Sequence, residues 1–191
     1  MKLIKHLEDR LGEIRYGWSY NEAGRPMPFK VACLGDGSIP DVDSYATVGL
    51  SQTDLISRTS GRVIHQELFI SVKSEFTDGP YPGILQQIGL DLIMDDAALL
   101  RGDVVGPRDP ILPHSKIEAF YCAIPVYYDD EFSVAQIEGE IDIVITWLIP
   151  ITRREADFVL REGWEKFEDE LVRHDPDLLN PFREEIPLTG T

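Results

Sequence analysis

Ser51, Asp54 and His65 carry the residue types of a hydroxyl nucleophile, an orienting carboxylate and a base, close together in the chain. A catalytic triad is recognised by geometry and not by proximity in sequence. The stretch Gly49-Leu-Ser-Gln-Thr53 also lacks the Gly-x-Ser-x-Gly turn that raises a nucleophilic serine above a sheet. His65 reads more simply as a strand residue, bonded across a sheet or facing solvent, and a hydrolase of unknown substrate is the outside reading. His6, His65, His114 and His174 have no i, i+4 pairing, and Cys33 and Cys122 form no Cys-x-x-Cys, so no zinc site is expected. Asp129-Asp-Glu131 lacks the alternating ligands and central glycine of a calcium loop, and a solvated acidic loop is the simpler account. Gly35-Asp-Gly37 is followed by neither Gly-Lys-Ser/Thr nor a helix, so it is not a phosphate cradle. Asp and Glu are so abundant that any pair chosen for acid–base work is uninformative. These residues call for no metal, no cofactor and no reaction; they leave a binding domain rather than an enzyme.

The element around which the chain is organised is the run Ile141 to Pro150 with the helix after it. Alternation puts Ile141, Ile143, Ile145, Trp147 and Ile149 on one face and Asp142, Val144, Thr146 and Leu148 on the other. The second face also turns apolar, so the strand is expected to be central and covered on both sides, with Pro150 ending it. Thr152-Arg-Arg-Glu155 is a capping box. It opens a helix whose Phe158, Leu160, Trp164, Phe167 and Leu171 make one buried stripe. Upstream, an amphipathic helix is expected over Lys2 to about Tyr16 and a loop over Gly17 to Pro28. Strands follow over Phe29–Leu34, Asp43–Leu50 and Arg62–Val72, the last two as an antiparallel pair. The longest helical pattern runs from Gly83 to Leu100, with Pro82 in its first turn and Gly102 as its stop. Ile84, Leu85, Ile88, Leu92 and Leu99 line one face of it. Asp103 to Ser115 is a loop, Ile117–Ile124 a strand, Tyr127 to Glu140 an acidic connector containing Glu138 and Glu140, and Pro176 to Thr191 a proline-rich tail.

At 191 residues the chain is long enough for one domain with a core that folds unaided. We take residues 1–191 as a single domain: 1–28 an N-terminal helix and loop, about 43–174 the core, and 176–191 a tail. Strands and helices in this order make an α+β fold, a mixed and largely antiparallel sheet with helices packed on it. No apolar run is long enough to cross a bilayer, and the first residues do not form a signal peptide, so a cytoplasmic protein is expected. Cys33 and Cys122, far apart in strand-like stretches, read as buried free thiols rather than a disulfide. The net charge of −16, with no basic cluster, argues against nucleic acid and anionic membrane. It favours a basic protein partner drawn in by long-range attraction, unless the acid serves solubility alone.

The order of motifs resembles the suppressor-of-fused domain family over about Asp43 to Glu170. Ser44-Tyr-Ala-Thr-Val-Gly-Leu-Ser51, followed by Asp54-Leu55, is similar to the family's aromatic strand ending in Gly-Leu-Ser. Gln66-Glu-Leu-Phe-Ile-Ser-Val-Lys73 resembles its Glu-Leu strand. Tyr81-Pro-Gly-Ile-Leu through Leu100-Arg-Gly-Asp103 resembles its long helix and Gly-Asp turn. Trp147-Leu-Ile-Pro-Ile-Thr-Arg-Arg-Glu155 resembles its closing strand and the start of the next helix. The resemblance implies a non-enzymatic protein-binding domain with the α+β fold of the family's N-terminal domain. Animal members hold a transcription factor in the cytoplasm by gripping an extended peptide between two domains. Bacterial members of this length are associated with polymorphic toxin systems as immunity proteins. The chain has no room for the second animal domain, which favours the bacterial reading and a basic toxin, such as a nuclease, as partner. The alternative is an intracellular adaptor that adds an extended peptide to a sheet edge. The family's partner-gripping turn aspartate maps onto Asp103, whose other reading is a turn residue bonded to nearby amides. Tyr127, Tyr128, Asp129, Asp130 and Glu131 combine aromatic anchors with acids and are candidate contacts, or else a solvated loop over the sheet. Trp18 and Trp164 read as packing residues.

Overall fold

A computed structural model describes residues 2–136 and 141–188. Glu138 and Glu140 of the acidic connector and the last three residues of the tail lie outside the described residues. The elements are α1 (Lys2–Leu11), β1 (Gly12–Tyr20), β2 (Pro26–Asp36), β3 (Val42–Val48), β4 (Leu55–Ile56), β5 (Val63–Lys73), α2 (Tyr81–Asp95), β6 (Val104–Val105), β7 (Ile117–Ala123), β8 (Val134–Gln136), β9 (Asp142–Thr152), α3 (Arg153–Glu162) and α4 (Trp164–His174). The strands form one mixed sheet in the order β1-β2-β3-β5-β9-β7-β6, with β4 beside β5 and β8 beside β9. Every described pairing is antiparallel except β5 with β9, which is parallel. This is the α+β sheet the sequence implies.

β9 is central and covered on both faces, as its composition requires. Its Ile143, Ile145, Trp147, Ile149 and Ile151 join α1, α3, α4 and the tail in one core layer. Leu148 points the other way, into the layer beneath α2. Pro150 does not end the strand, contrary to expectation. β5 accompanies β9 only as far as Trp147, so beyond that point a missing amide hydrogen breaks no ladder on that side. The Pro150 carbonyl instead accepts a hydrogen bond from Arg183 Nη2 at 3.0 Å.

Three helix boundaries differ from the periodicity. α1 ends at Leu11 because the chain must pass against β2: at Gly12, with φ 91°, a β-carbon would lie 2.0 Å from the Gly35 carbonyl oxygen. Ile14 and Tyr16 therefore belong to β1, and the loop expected over Gly17 to Pro28 is a hairpin of β1 and β2 around residues 21–25. α2 stops at Asp95, with Asp96 in the left-handed region, and not at Gly102. Leu99 lies outside the helix, where Gln66 pairs with its backbone: Leu99 N donates to Oε1 at 3.1 Å, and Nε2 donates to the Leu99 carbonyl at 2.7 Å. The helix after β9 is two helices. Gly163, at φ 93° and ψ 155°, takes a conformation that excludes helix, so Phe158 and Phe167 share the core while Leu160 is 69 % exposed.

The capping box at Thr152 is formed on both sides, and the Glu155 carboxylate does more than cap. Fully buried, it receives Arg183 Nη1 and Nη2 at 2.7 and 2.6 Å and the Ile186 amide at 3.1 Å. The tail thereby lies on the sheet and adds Leu178, Leu179, Ile186 and Leu188 to the core. Arg183→Met would leave that carboxylate buried beside an apolar group, at a cost of about 3–5 kcal/mol. Urea unfolding followed by circular dichroism is expected to show a midpoint lowered by that amount, with the tail freed to proteolysis.

Candidate functional site

Ser51, Asp54 and His65 do come together, but not as a triad. β5 carries Glu67 with no solvent access, directly under the turn Gly49 to Ser51. Its Oε1 accepts the Gly49 amide at 2.8 Å, the Ser51 amide at 3.2 Å and the Ser51 hydroxyl at 2.7 Å, while Oε2 accepts the Thr47 hydroxyl at 2.6 Å. The serine proton is thus committed to a carboxylate. His65 Nδ1 lies 2.8 Å from the Ser51 main-chain carbonyl, and Nε2 is 3.7 Å from Asp54. The imidazole addresses the backbone, and the cluster fixes a turn. Cys33 and Cys122 are buried and unlinked; burial pushes both thiols above their ordinary range, Cys122 well above it. Among the described residues no three His, Cys, Asp or Glu side chains converge as a metal-binding group.

Asp103 sits in the Gly102–Asp103 turn that leads into β6. Its Oδ2 accepts the Leu100 amide at 2.7 Å, its own amide donates to the Leu100 carbonyl at 3.0 Å, and its carbonyl accepts from Cys122 N at 2.9 Å. Beside it Arg101 stacks over Trp164, 4.6 Å from the ring centroid, and pairs with Glu168.

The other candidates lie elsewhere, after β7, against Phe69, Phe132 and Trp147. The Tyr128 ring meets Phe132 at 4.9 Å and Phe69 at 5.9 Å, its hydroxyl lies 3.3 Å from Ser71 Oγ, and burial raises its pKa. It is a packing residue. Tyr127 rests on Trp147 with ring centroids 4.8 Å apart and remains 40 % exposed. Asp129 is gripped by Arg10 Nε and Nη2 at 3.1 and 3.0 Å, which holds its carboxyl below the usual range. Asp130 and Glu131 are exposed in a 3-10 turn, with Glu131 3.7 Å from Arg10. Asp103 shares no hydrogen bond or ion pair with this segment among the described residues. The six do not make one site.

A groove of about 600 Å³ that sequence reasoning missed begins two residues past Asp103. Ile84 and Ile88 of α2, Val105 of β6, Phe120 of β7 and Ile111 make its apolar lining, and Glu22, Asp109 and Glu118 stand among its polar residues. The wall opposite α2 is the segment expected to be a loop of proline, glycine and charge. That segment runs beside β7, with Arg108 N bonded to the Glu118 carbonyl at 2.7 Å and Ile111 N to the Ile117 carbonyl at 3.0 Å. Arg108 ties it to α2 through Asp91, also at 2.7 Å. Ile84 was visible as an apolar helix position. No local pattern placed Ile111 across from it, because that pairing is made by folding.

The family model of suppressor of fused protein (SUFU) matches residues 25–184. No curated protein matches the chain. Among solved structures, a suppressor of fused homologue from Neisseria gonorrhoeae is 19 % identical with a TM-score of 0.72, covering 99 % of this chain and 97 % of its own. A chain of the Sufu–Fu complex is 14 % identical, TM-score 0.69, covering 96 % and 90 %. Drosophila Suppressor of Fused is 16 % identical, TM-score 0.68, covering 97 % of this chain; the present chain matches 50 % of its length. At these identities the structural likeness establishes the fold.

The two motif carboxylates are expected to differ sharply in weight. Glu67→Ala strands two amides and two hydroxyls without their acceptor and is expected to cost about 3 kcal/mol or more, whereas Asp103→Ala removes one turn bond and costs about 1 kcal/mol. Chemical denaturation of both variants checks the ratio; equal costs would contradict the bonding described here.

Proposed function

This chain belongs to the suppressor of fused family, and on that premise we propose that it acts by binding another protein, whose basic segment lies in the groove between α2 and residues 105–111. The groove itself carries the reading. It offers an apolar floor for anchor side chains beside carboxylates for cations, the composition of a recognition cleft. Glu22 and Asp109 form no ion pair among the described residues. Most of the Lys and Arg side chains are engaged by carboxylates of the same chain, as in Lys73–Asp177, Lys116–Glu184 and Arg154–Glu185. The surplus behind the net charge of −16 therefore faces outward and attracts cations. A neighbour in fold, the Sufu–Fu complex, is a protein–protein assembly. The finer reading is that the partner is a basic toxin, such as a nuclease, that this chain neutralises as an immunity protein. That role draws its support from the acidity and from the family resemblance of single-domain bacterial members.

Affinity capture from the native host, with the partner identified by mass spectrometry, is the direct test. The partner is expected to be basic, to arrest growth when expressed alone, and to be harmless when this chain is co-expressed. Its affinity is expected to fall roughly ten-fold or more between low and high salt, mainly in the association rate. Ile111→Arg is expected to weaken it by a similar factor without changing the melting temperature. An acidic partner, or an affinity indifferent to salt, would refute the electrostatic reading. Growth arrest unaffected by co-expression would refute the toxin role alone.

A further inference from the structure

β1 is the outer strand of the sheet at the end away from β6. Register irregularities fall at Arg15 and Ser19. The first has a clear cause. Asp43, 2 % exposed, needs a counter-charge, and the irregularity carries the Arg15 guanidinium across the sheet to the space above Gly35. There Nη1 meets Asp43 at 2.9 Å and Nη2 meets Asp36 at 3.1 Å. The one cation of β1 is thereby withdrawn from the strand's outer side. The same shift moves the strand from Ile14, packed on one core layer, to Tyr16 and Trp18, which pair with Cys33 and Val31 over the other.

Past Arg15, the α2 face of β1 thus presents Tyr16, Trp18 and Tyr20, and the other face Gly17 and Ser19. Tyr16 is 51 % and Tyr20 61 % exposed, with Trp18 half-buried between them. Tyr16 meets Trp18 edge-on at 5.2 Å. The ends of the strand are tied to side chains, Ile14 N to Glu8 and the Tyr20 carbonyl to Gln86 Nε2. Among the described residues nothing is bonded to the outer main chain between Arg15 and Ser19. Glu13 and Glu22 flank the aromatic row without ion pairs among the described residues. Exposed cations nearby are Arg25 in the hairpin turn and Lys30 of β2, and Arg15, though paired with acids, still acts on Tyr16.

We propose that the β1 edge accepts an extended, basic segment of a partner protein as an added strand, with Lys or Arg side chains over the rings of Tyr16, Trp18 and Tyr20. The proposal rests on the reading of a basic partner and assigns that partner a second contact, along β1, which adjoins the groove at Glu22 of the hairpin turn. Strand addition draws affinity from main-chain bonds and specificity from alternate side chains. Here every second side chain would fall on an electron-rich ring, which attracts cations, with Glu13 and Glu22 at the ends. The intervening side chains would lie over Gly17 and Ser19, which leave room for bulky groups. A second copy of this chain fits less well, since it would bring a net charge of −16 against −16.

The probe is a blocked peptide of alternating Lys and Val, about seven residues long, matching the length of the edge. Two further versions carry N-methyl groups on the Lys amides or on the Val amides. Along a strand alternate amides point to the same edge, so one methylated version is expected to lose binding roughly ten-fold or more while the other retains it. Calorimetry with the double variant Tyr16→Lys/Tyr20→Lys is expected to show a similar loss at an unchanged melting temperature. Leu160→Lys/Val172→Lys, the same charge change at exposed positions of α3 and α4, is expected to leave binding intact. Equal binding of both methylated peptides, full binding by the tyrosine variant, or dimerisation of the chain alone that the variant abolishes would each overturn the proposal. A native partner that proves acidic would overturn both this edge and the groove reading, whereas a basic native partner whose binding survives Ile111→Arg but not the tyrosine double variant would leave this edge standing and sink the groove alone. No peptide binding beside a basic native partner would sink the edge alone.

Discussion

A carboxylate removed from water must be given donors, and the carboxylate of Glu155 sets that condition for the closing third of the chain. It lies at the junction of β9 and α3, fully buried, bonded to the Thr152 amide, the Arg183 guanidinium and the Ile186 amide. One side chain therefore begins a helix and anchors a tail that contributes four aliphatic residues to the core. The cost of desolvating the ion pair is offset when its lone pairs and protons are met; this geometry meets both carboxylate oxygens and leaves the buried Arg183 Nε without a hydrogen-bond partner among the described residues. Glu67 repeats the device on the neighbouring strand, β5, where it holds the turn after β3. Gln66, its neighbour, does the same for Leu99 with an amide in place of a charge.

These three side chains explain why some of the fold was legible in the sequence. The stretches that carry the family resemblance contain the acceptors and the backbone they receive: Gly49 to Ser51 with Glu67, Leu100 with Asp103, Thr152 with Glu155. Such pairings depend on residue type and a fixed local geometry, so they leave marks in sequence. The partners supplied from a distance leave none. Nothing near Arg183 points to Glu155, and nothing near Arg15 points to Asp43. The irregularity that brings Arg15 over the sheet also shifts the alternation of β1, so that strand looked like the end of a helix and the beginning of a loop. The groove was hidden for the same reason, since α2, residues 105–111 and the β1–β2 turn that line it are separate in sequence and are brought together by folding, in part through Arg108 and Asp91.

Charge follows the same division between inside and outside. The basic residues are largely used within the chain, tying helices and tail to the sheet, as in Arg101–Glu168 and Arg153–Glu118. Exposed pairs of this kind add little to stability. Their larger consequence is that they leave the unpaired carboxylates to set the external field. Arg10 with Asp129 shows how the acidic segment after β7 is partly neutralised in place. Acidity counted from composition therefore overstates what that segment offers a partner, while at Glu22 and Asp109 it does not.

The position of both candidate surfaces follows from how the two faces of the sheet are covered. The path from β1 to β6 has seven strands, roughly 29 Å across at the usual spacing. One face is packed by α1, α3, α4 and the tail, but the other carries a single helix, α2, set over β2, β3 and β5. A helix is about 10 Å across and spans two or three strands. Its flanks must be closed by something else or remain open. On one side residues 97–111 close most of the gap and leave the groove. On the other nothing among the described residues crosses β1, and the aromatic row is what an uncovered sheet margin exposes. A sheet this wide under one helix cannot bury both margins from its own chain, so apolar surface stays available at its two ends.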